Sequence, residues 1–402
     1  MKLLKLIFIL AFLTVNFSFC KSNPNHPEKQ SPLKISENTI LPGADRMDAY
    51  LSHLNGKRVA LAVNQTSVLT QKDHLHLVDF LLEAGINVKK VFVPEHGFRG
   101  EADAGEKVEN EIDPKTGLSL VSLYGNSKKP SVEALSDVDI VIFDIQDVGI
   151  RFYTFISTLH YLMEACAEQG KKLMVLDRPN PNGDYVDGPV LKPGYESFVG
   201  MHPIPVVHGL TVGELARMIN EEGWLKNSVK ADLEIITVAN WNHDMFYSLP
   251  IKPSPNLPND LSIRLYPSLC FFEGTKISLG RGTPFPFQVY GYPDPDFGDF
   301  TFTPKSIDGM AKNPPLQDTL CFGKDLRNEP QSHRFTLKYL LETFRIAGDE
   351  SHFFNNFFDK LAGTDQLRKD ILAGKSEAEI RASWNADLEK YKSLRAKYLL
   401  YE

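Results

Sequence analysis

Apolar residues recur along the first half of the chain in short unbroken runs, and each run stops at a cluster of polar side chains. Arg58-Val59-Ala60-Leu61-Ala62-Val63 leads into Asn64-Gln65-Thr66-Ser67, and Val91-Phe92-Val93 into Pro94-Glu95-His96-Gly97-Phe98-Arg99-Gly100. Ile140-Val141-Ile142-Phe143 leads into Asp144-Ile145-Gln146-Asp147, and Lys172-Leu173-Met174-Val175-Leu176 into Asp177-Arg178-Pro179-Asn180. Apolar runs that do not alternate predict strands covered on both faces. Pro94 cannot donate to a continuing ladder, so the strand before it ends there. Between the runs the period changes. Leu75, Val78, Leu81 and Leu82 share one helical face before Gly85, as Leu159, Leu162, Met163 and Cys166 do before Gly170. Strands alternating with helices predict βαβ units, hence an α/β fold whose parallel sheet carries helices on its faces. Ligands of such sheets sit outside the carboxyl ends of the strands, so four polar clusters at one edge predict a cleft there. Strand ends also collect polar residues for structural reasons alone, and for Asp144, Asp147, Asp177 and Arg178 a buried network is as good a reading as a site.

Farther on, Thr211 and Glu214 have capping-box spacing and open a helix carrying Leu215, Met218 and Ile219, and residues 233–238 read as one more strand. From residue 250 to 295 Pro and Gly crowd the chain, which predicts sparse regular structure and loops that rim a cleft. Helices return from Arg334 onward. The last keeps Ile380, Trp384, Leu388, Tyr391 and Tyr398 on one stripe behind a capping box at Ser376 and Glu379.

A chain of 402 residues exceeds what one core usually organises, so two domains are expected. A net charge of −7 and a pI near 5.9 exclude a basic nucleic-acid-binding face as the organising feature. The N-terminus changes the picture more. Lys2 and Lys5 precede an apolar stretch from Leu6 to Phe19, short for a membrane span and right for a signal peptide over residues 1–20. Cys20 followed by a polar tether, residues 21–33, fits a lipid-modified cysteine, hence an exported periplasmic or outer-membrane lipoprotein. Cys166, Cys270 and Cys321 have no metal-ligand spacing, and packing accounts for the first two.

The glycine-rich signatures of dinucleotide and phosphate binding are missing, as are a nucleophile elbow and a His-Glu-x-x-His metal motif, so no cofactor and no metal are expected. Carboxylates remain. Glu95, Asp144, Asp147, Asp177 and Glu273 all sit at predicted strand ends or in Gly-rich turns. A glycosidase needs a carboxylic acid to protonate the leaving oxygen, and a second carboxylate or a substrate group to meet the developing cation. Phe92 and Phe98, as neighbours of Glu95 in sequence, suit an acid that must arrive protonated.

The same residues carry a resemblance. Asn64-Gln65-Thr66-Ser67, the stretch Pro94 to Gly100, Asp144-Ile145-Gln146-Asp147-Val148-Gly149-Ile150-Arg151-Phe152-Tyr153-Thr154 and Asp177-Arg178-Pro179-Asn180-Pro181 are similar to motifs of the exo-β-N-acetylmuramidases of glycoside hydrolase family 171. So are His208-Gly209-Leu210-Thr211-Val212-Gly213-Glu214, Pro253-Ser254-Pro255-Asn256-Leu257-Pro258, Glu273-Gly274-Thr275 and Gly280-Arg281-Gly282-Thr283. Lys276 and Val207 depart from the family pattern. The resemblance implies a Rossmann-like catalytic domain, placed here at 34–240, and a smaller α/β C-terminal domain at 241–402. It implies release of N-acetylmuramic acid from non-reducing ends of peptidoglycan fragments, with Glu95 as the catalytic acid.

Muramic acid differs from glucosamine by a lactyl ether bearing a carboxylate, which a planar guanidinium grips bidentately, so Arg151, Arg178 and Arg281 are the candidate readers. Tyr153 offers a stacking face. Asn64, His96, Arg99, Gln146, Asp147, Asn180, His208 and Glu273 complete the expected binding set, with Asp144 and Asp177 as further catalytic candidates. Two other functions fit the same features: an amino-sugar-binding lipoprotein and an amino-sugar deacylase.

Overall fold

The computed structural model describes residues 38–401 apart from 96, 100–110, 126, 329–333 and 349–350. The expectations for the signal peptide, Cys20, the tether and His96 lie outside the described residues. In chain order the strands up to Ile236 are β1 (Arg58–Val63), β2 (Val68–Leu69), β3 (Leu75–His76), β4 (Asn87–Val93), β5 (Glu111–Ile112), β6 (Ser119–Ser122), β7 (Ile140–Asp144), β8 (Lys172–Leu176) and β9 (Asp232–Ile236). Seven of them form one sheet in the order β5-β6-β4-β1-β7-β8-β9, parallel throughout except at the β5 edge, and β2 pairs with β3 in a small hairpin. From β1 the chain builds outward through β4 to β6, then crosses back to place β7, β8 and β9 on the other side. This is the doubly wound arrangement, and its crevice falls between β1 and β7.

Period 2 explains why the central runs are apolar without alternation. Ala60 and Ala62 of β1 face one core together with α2 (Val132–Leu135), α3 (Phe155–Glu168) and α4 (Val212–Glu221), while Val59, Leu61 and Val63 face a second core with α1 (Leu77–Glu83). Leu75, expected on the α1 face, belongs to β3 instead; the helix begins two residues later behind His76, whose ring nitrogen accepts from the Val78 amide. The capping boxes at Thr211/Glu214 and Ser376/Glu379 are both formed.

The Pro/Gly-rich stretch is more regular than expected. It contains α5 (Asp260–Leu269) behind a third capping box, Asn259 with Ser262. Pro267 inside this helix lacks the N–H that would reach the Ile263 carbonyl, and the Asn182 side-chain amide fills that place at 3.3 Å. A second sheet, β10 (Val289–Tyr292), β11 (Phe300–Phe302) and β12 (Cys321–Asp325), has β12 in the middle and antiparallel pairing. The chain ends in α6 (Lys338–Ala347), α7 (Phe358–Ala362), α8 (Gln366–Leu372) and α9 (Glu377–Arg395). The α3/α4 core runs on without a break into Phe271, Phe272, Phe358 and Trp384, so Asn38–Glu402 pack as one compact unit.

Candidate active site

Register places the first wall of the site. Val93 of β4 pairs with Ser122 of β6, so the residues two further along, Glu95 and Tyr124, emerge side by side from the carboxyl edge of the sheet. The third member comes from the loop after β7. Thr154 is the N-cap residue of α3, yet it makes no side-chain cap; its hydroxyl donates to Glu95 Oε2 at 2.7 Å. Tyr124 is pushed well above the usual phenol range, by burial first and then by the charge of Glu95 and a hydrogen bond to it. Two hydroxyls therefore orient one carboxyl group. A hydroxyl can donate or accept, so this setting serves Glu95 in either protonation state.

Glu95 lines a cleft of about 720 Å³ together with Tyr124, Tyr153, Thr154 and Phe198 from the first half of the chain. Further lining comes from the second half. Glu273 lies in the turn Cys270–Gly274 that continues α5, and its Oε1 accepts from Arg281 Nε at 3.2 Å and Nη2 at 2.6 Å. The guanidinium rests 5.1 Å from the Phe287 ring centroid. Burial opposes the Arg281 charge, but Glu273 overcomes it and holds the guanidinium above its ordinary range. Gly282 makes this wall possible: its φ is +77°, and a Cβ there would stand 2.5 Å from the Lys305 carbonyl, so only glycine lets the 305–315 segment close beside Arg281. Among the residues lining the cleft, Glu95 and Glu273 are the carboxylates. Among the described residues, no group of three or more His, Cys, Asp or Glu side chains could hold a metal ion.

The family model "Exo-beta-N-acetylmuramidase NamZ, N-terminal" matches residues 59–261, and its C-terminal counterpart matches residues 264–401. The chain belongs to the NamZ family. The peptidoglycan beta-N-acetylmuramidase NamZ of Bacillus subtilis (strain 168) is 38% identical over an alignment covering 98% of this chain and 99% of that protein. Two crystal structures of DUF1343 family proteins from Bacteroides fragilis NCTC 9343 share the fold. One has a TM-score of 0.84 at 48% identity and the other 0.76 at 29%, each alignment covering 90% of this chain and 99% of the other.

In this NamZ-family chain the other three polar clusters close the doubly wound crevice instead of lining a site. Arg178 donates to both oxygens of Asp144, at 2.6 and 2.9 Å, and to the Val68 carbonyl. Burial acts against both charges: Asp144 outweighs it at Arg178 and holds the guanidinium above its ordinary range, whereas burial still lifts the Asp144 carboxyl against the pull of Arg178. Asn64 Oδ1 accepts from the Thr66 amide and hydroxyl, the Thr66 hydroxyl accepts from the Gln146 amide, and Ser67 donates to the Asp144 carbonyl. Gln146 donates to the carbonyls of Asp147 and Pro179. Where a sheet of this topology takes a dinucleotide, this chain has its own side chains.

Asp177 accepts from Thr211, Gly213 and Tyr401; burial nevertheless lifts its carboxyl to about 6. Asp147 is lifted to about 7 by burial, with only the Gly149 and Val148 amides working against the shift. His208 stands 3.9 Å away, and burial pushes its imidazole down to about 3. Leu210 N donates to His208 Nδ1, which leaves the ring proton on Nε2 facing Asp147. Asn180 packs where a Cβ on Gly149 would lie, within 2.2 Å, and bonds Leu210 and Asn182. Arg99 pairs with Asp113 at 3.0 Å over the Phe98 ring, away from the cleft lining. Arg151 is fully buried, and its Nη1 and Nη2 donate to the carbonyls of Pro189, Ile204, Leu361 and Ala362. Of the three arginines, Arg281 alone lines the cleft.

Two expectations around the cleft change. Phe92 and Phe98 point into the two opposite cores, so the aromatic groups that share the cleft with Glu95 are Tyr124, Phe152, Tyr153, Phe155 and Phe198 together with Tyr266, Phe272, Phe287 and Phe357. Tyr153 lines the cleft, but its hydroxyl is committed to the Pro253 carbonyl at 2.8 Å. Tyr124, Thr154, Phe198 and Asn256 are cleft residues that sequence reasoning did not single out. Thr154 and Asn256 stand inside quoted motifs. Tyr124 follows β6, whose run Ser119–Ser122 is half polar and gives no buried-strand signal.

Proposed function

We propose that this chain is an exo-acting glycoside hydrolase that releases N-acetylmuramic acid from non-reducing ends of peptidoglycan fragments. Glu95 is its general acid, Glu273 the second carboxylate of the cleft, and Arg281 the reader of the lactyl carboxylate. The observation that carries this reading is the convergence of Glu95 and the Glu273–Arg281 pair on one cleft, while Asp144, Asp147 and Asp177 are enclosed elsewhere. Membership of the NamZ family and the named activity of the Bacillus subtilis relative support it.

The chemistry follows from the geometry. Tyr124 and Thr154 fix the Glu95 carboxyl so that its proton is presented to a glycosidic oxygen, and the leaving sugar departs as an alcohol while positive charge builds at the anomeric carbon. The second carboxylate of the cleft answers that charge, either directly or by orienting the 2-acetamido group. Arg281 keeps Nη1 outside its bonds to Glu273, so a lactyl carboxylate can share the guanidinium. Incubating the purified chain with a chromogenic muramoside and with the muramyl-glucosamine disaccharide tests the reading. Release of N-acetylmuramic acid supports it. Release of acetate shows a deacylase, and tight binding without turnover shows a sugar-binding protein.

We also propose that the protein is exported and acylated at Cys20. Lys2, Lys5, the apolar run to Phe19 and the polar tether support this. Labelling cells with an alkyne fatty acid checks it: labelling and membrane fractionation that survive Cys20→Ser refute the anchor.

A further inference from the structure

We infer that Asn256 reads the N–H of the substrate's 2-acetamido group, and so selects amino sugars at the reacting ring. The inference deepens the muramidase reading and rests on it. Asn256 lines the cleft yet is 1% exposed, and its surroundings fix the orientation of its amide. Nδ2 donates to the Met310 carbonyl at 2.7 Å, so a flipped amide would set oxygen against oxygen. The backbone amide of Asn256 is held by Ser254 Oγ at 3.2 Å, and Tyr153 and Gln65 both donate to the Pro253 carbonyl just before. The residue is thus pinned from both halves of the chain.

Among the described residues, its Oδ1 finds no hydrogen-bond partner. Among the described residues, several buried side-chain polar atoms share that condition, and Asn256 Oδ1 is the one that belongs to a residue lining the cleft. A buried amide oxygen without a donor is a standing cost, recovered when a ligand supplies an N–H. A carbonyl oxygen accepts and cannot donate, so the group it selects must be a donor. The 2-acetamido N–H is a donor only, has a fixed direction, and is attached to the carbon beside the one that reacts. It therefore enters the same cleft as Glu95.

The test is a binding comparison that needs no turnover. N-acetylmuramic acid and its 2-O-acetyl isostere, which keeps the carbonyl and lacks the N–H, are titrated calorimetrically into the full chain and into Asn256→Ala. The parent is expected to bind the amide about 10- to 100-fold more tightly than the ester, and the variant to bind both at the level of the ester. Equal affinities in the parent overturn the inference even if the variant does not fold. A loss in Asn256→Ala that falls equally on amide and ester overturns it too, because that is the signature of a residue that only holds the Met310 segment. If neither sugar binds the parent, the muramoside reading itself fails and this inference with it.

Discussion

Glu95→Gln keeps the size of the side chain and an acceptor for Thr154 but removes the proton that an acid must deliver. Hydrolysis of the natural disaccharide should fall by about 10² to 10⁴ in kcat, and hydrolysis of a nitrophenyl muramoside by less, because an activated aryl group departs without a proton. Initial rates on both substrates check this. Equal losses would make Glu95 a nucleophile or a clamp, and near-parental rates would move the acid to Glu273, the other cleft carboxylate. The arginines separate in the same way. Arg281→Ala should cost kcat/KM about 30-fold or more on muramosides, with little effect on any residual glucosaminide activity, since the lost charge-assisted contact is worth about 2–5 kcal/mol. Arg151→Ala should leave that preference intact and lower the melting temperature, because four buried carbonyls lose their donors. From sequence alone the two were indistinguishable. Arg281 directly follows Gly280 and Arg151 stands two residues after Gly149, each in a quoted motif, and only the packing of Leu361 and Ala362 from α7 against Arg151 reveals that it is a structural brace.

Elements were readable where burial is two-sided. β1, β7 and β8 carry unbroken apolar runs because helices cover both faces, and they lie where the runs lie. β6 was not readable, since it stands next to the edge strand with partly exposed residues, and Tyr124 was missed with it. The crowd of Pro and Gly hid α5, because a proline inside a helix normally argues against the helix. Here a distant side chain removes that objection. Asn182 donates to the Ile263 carbonyl and to the Val148 carbonyl at 2.9 Å, tying α5 to the loop after β7. Asn182→Ala leaves both oxygens buried and unmet and should lower stability by about 2–4 kcal/mol. Urea unfolding is the measurement; the midpoint should fall with the slope unchanged, and a fall of under 0.5 M at a slope of about 3 kcal/mol/M or more would show that water replaces the amide.

At the scale of the whole molecule, the last residues of the chain close on the first sheet. Tyr401 donates to Asp177 Oδ2 at 2.5 Å and accepts from the Val238 amide, and Leu400 N donates to Glu214, so the segment beyond α9 is bonded to the ends of β8 and α4. Neither partner was recognisable in the sequence: a terminal Tyr gives no periodic signal, and Asp177 read equally well as a catalytic carboxylate. The contact makes a pH-dependent prediction. Asp177 is raised to about 6 by burial, with Thr211, Tyr401 and Gly213 holding it down. A carboxyl raised above its unfolded value, about 3.9, contributes stability that is fully present below that value and is lost as pH rises through about 6. Removing a donor that favours the charged form raises the folded pKa further and makes the loss above it larger. Tyr401→Phe should therefore lower the melting temperature by more at pH 8 than at pH 4.5, because a hydrogen bond to a carboxylate is worth about 1.5–3 kcal/mol and one to a neutral carboxyl about half that. Asp177→Asn in the same background should remove most of this difference. Calorimetry of the three variants at both pH values decides the matter: a Tyr401→Phe deficit independent of pH would mean that the hydroxyl acts through the Val238 amide it accepts from and contributes nothing through Asp177.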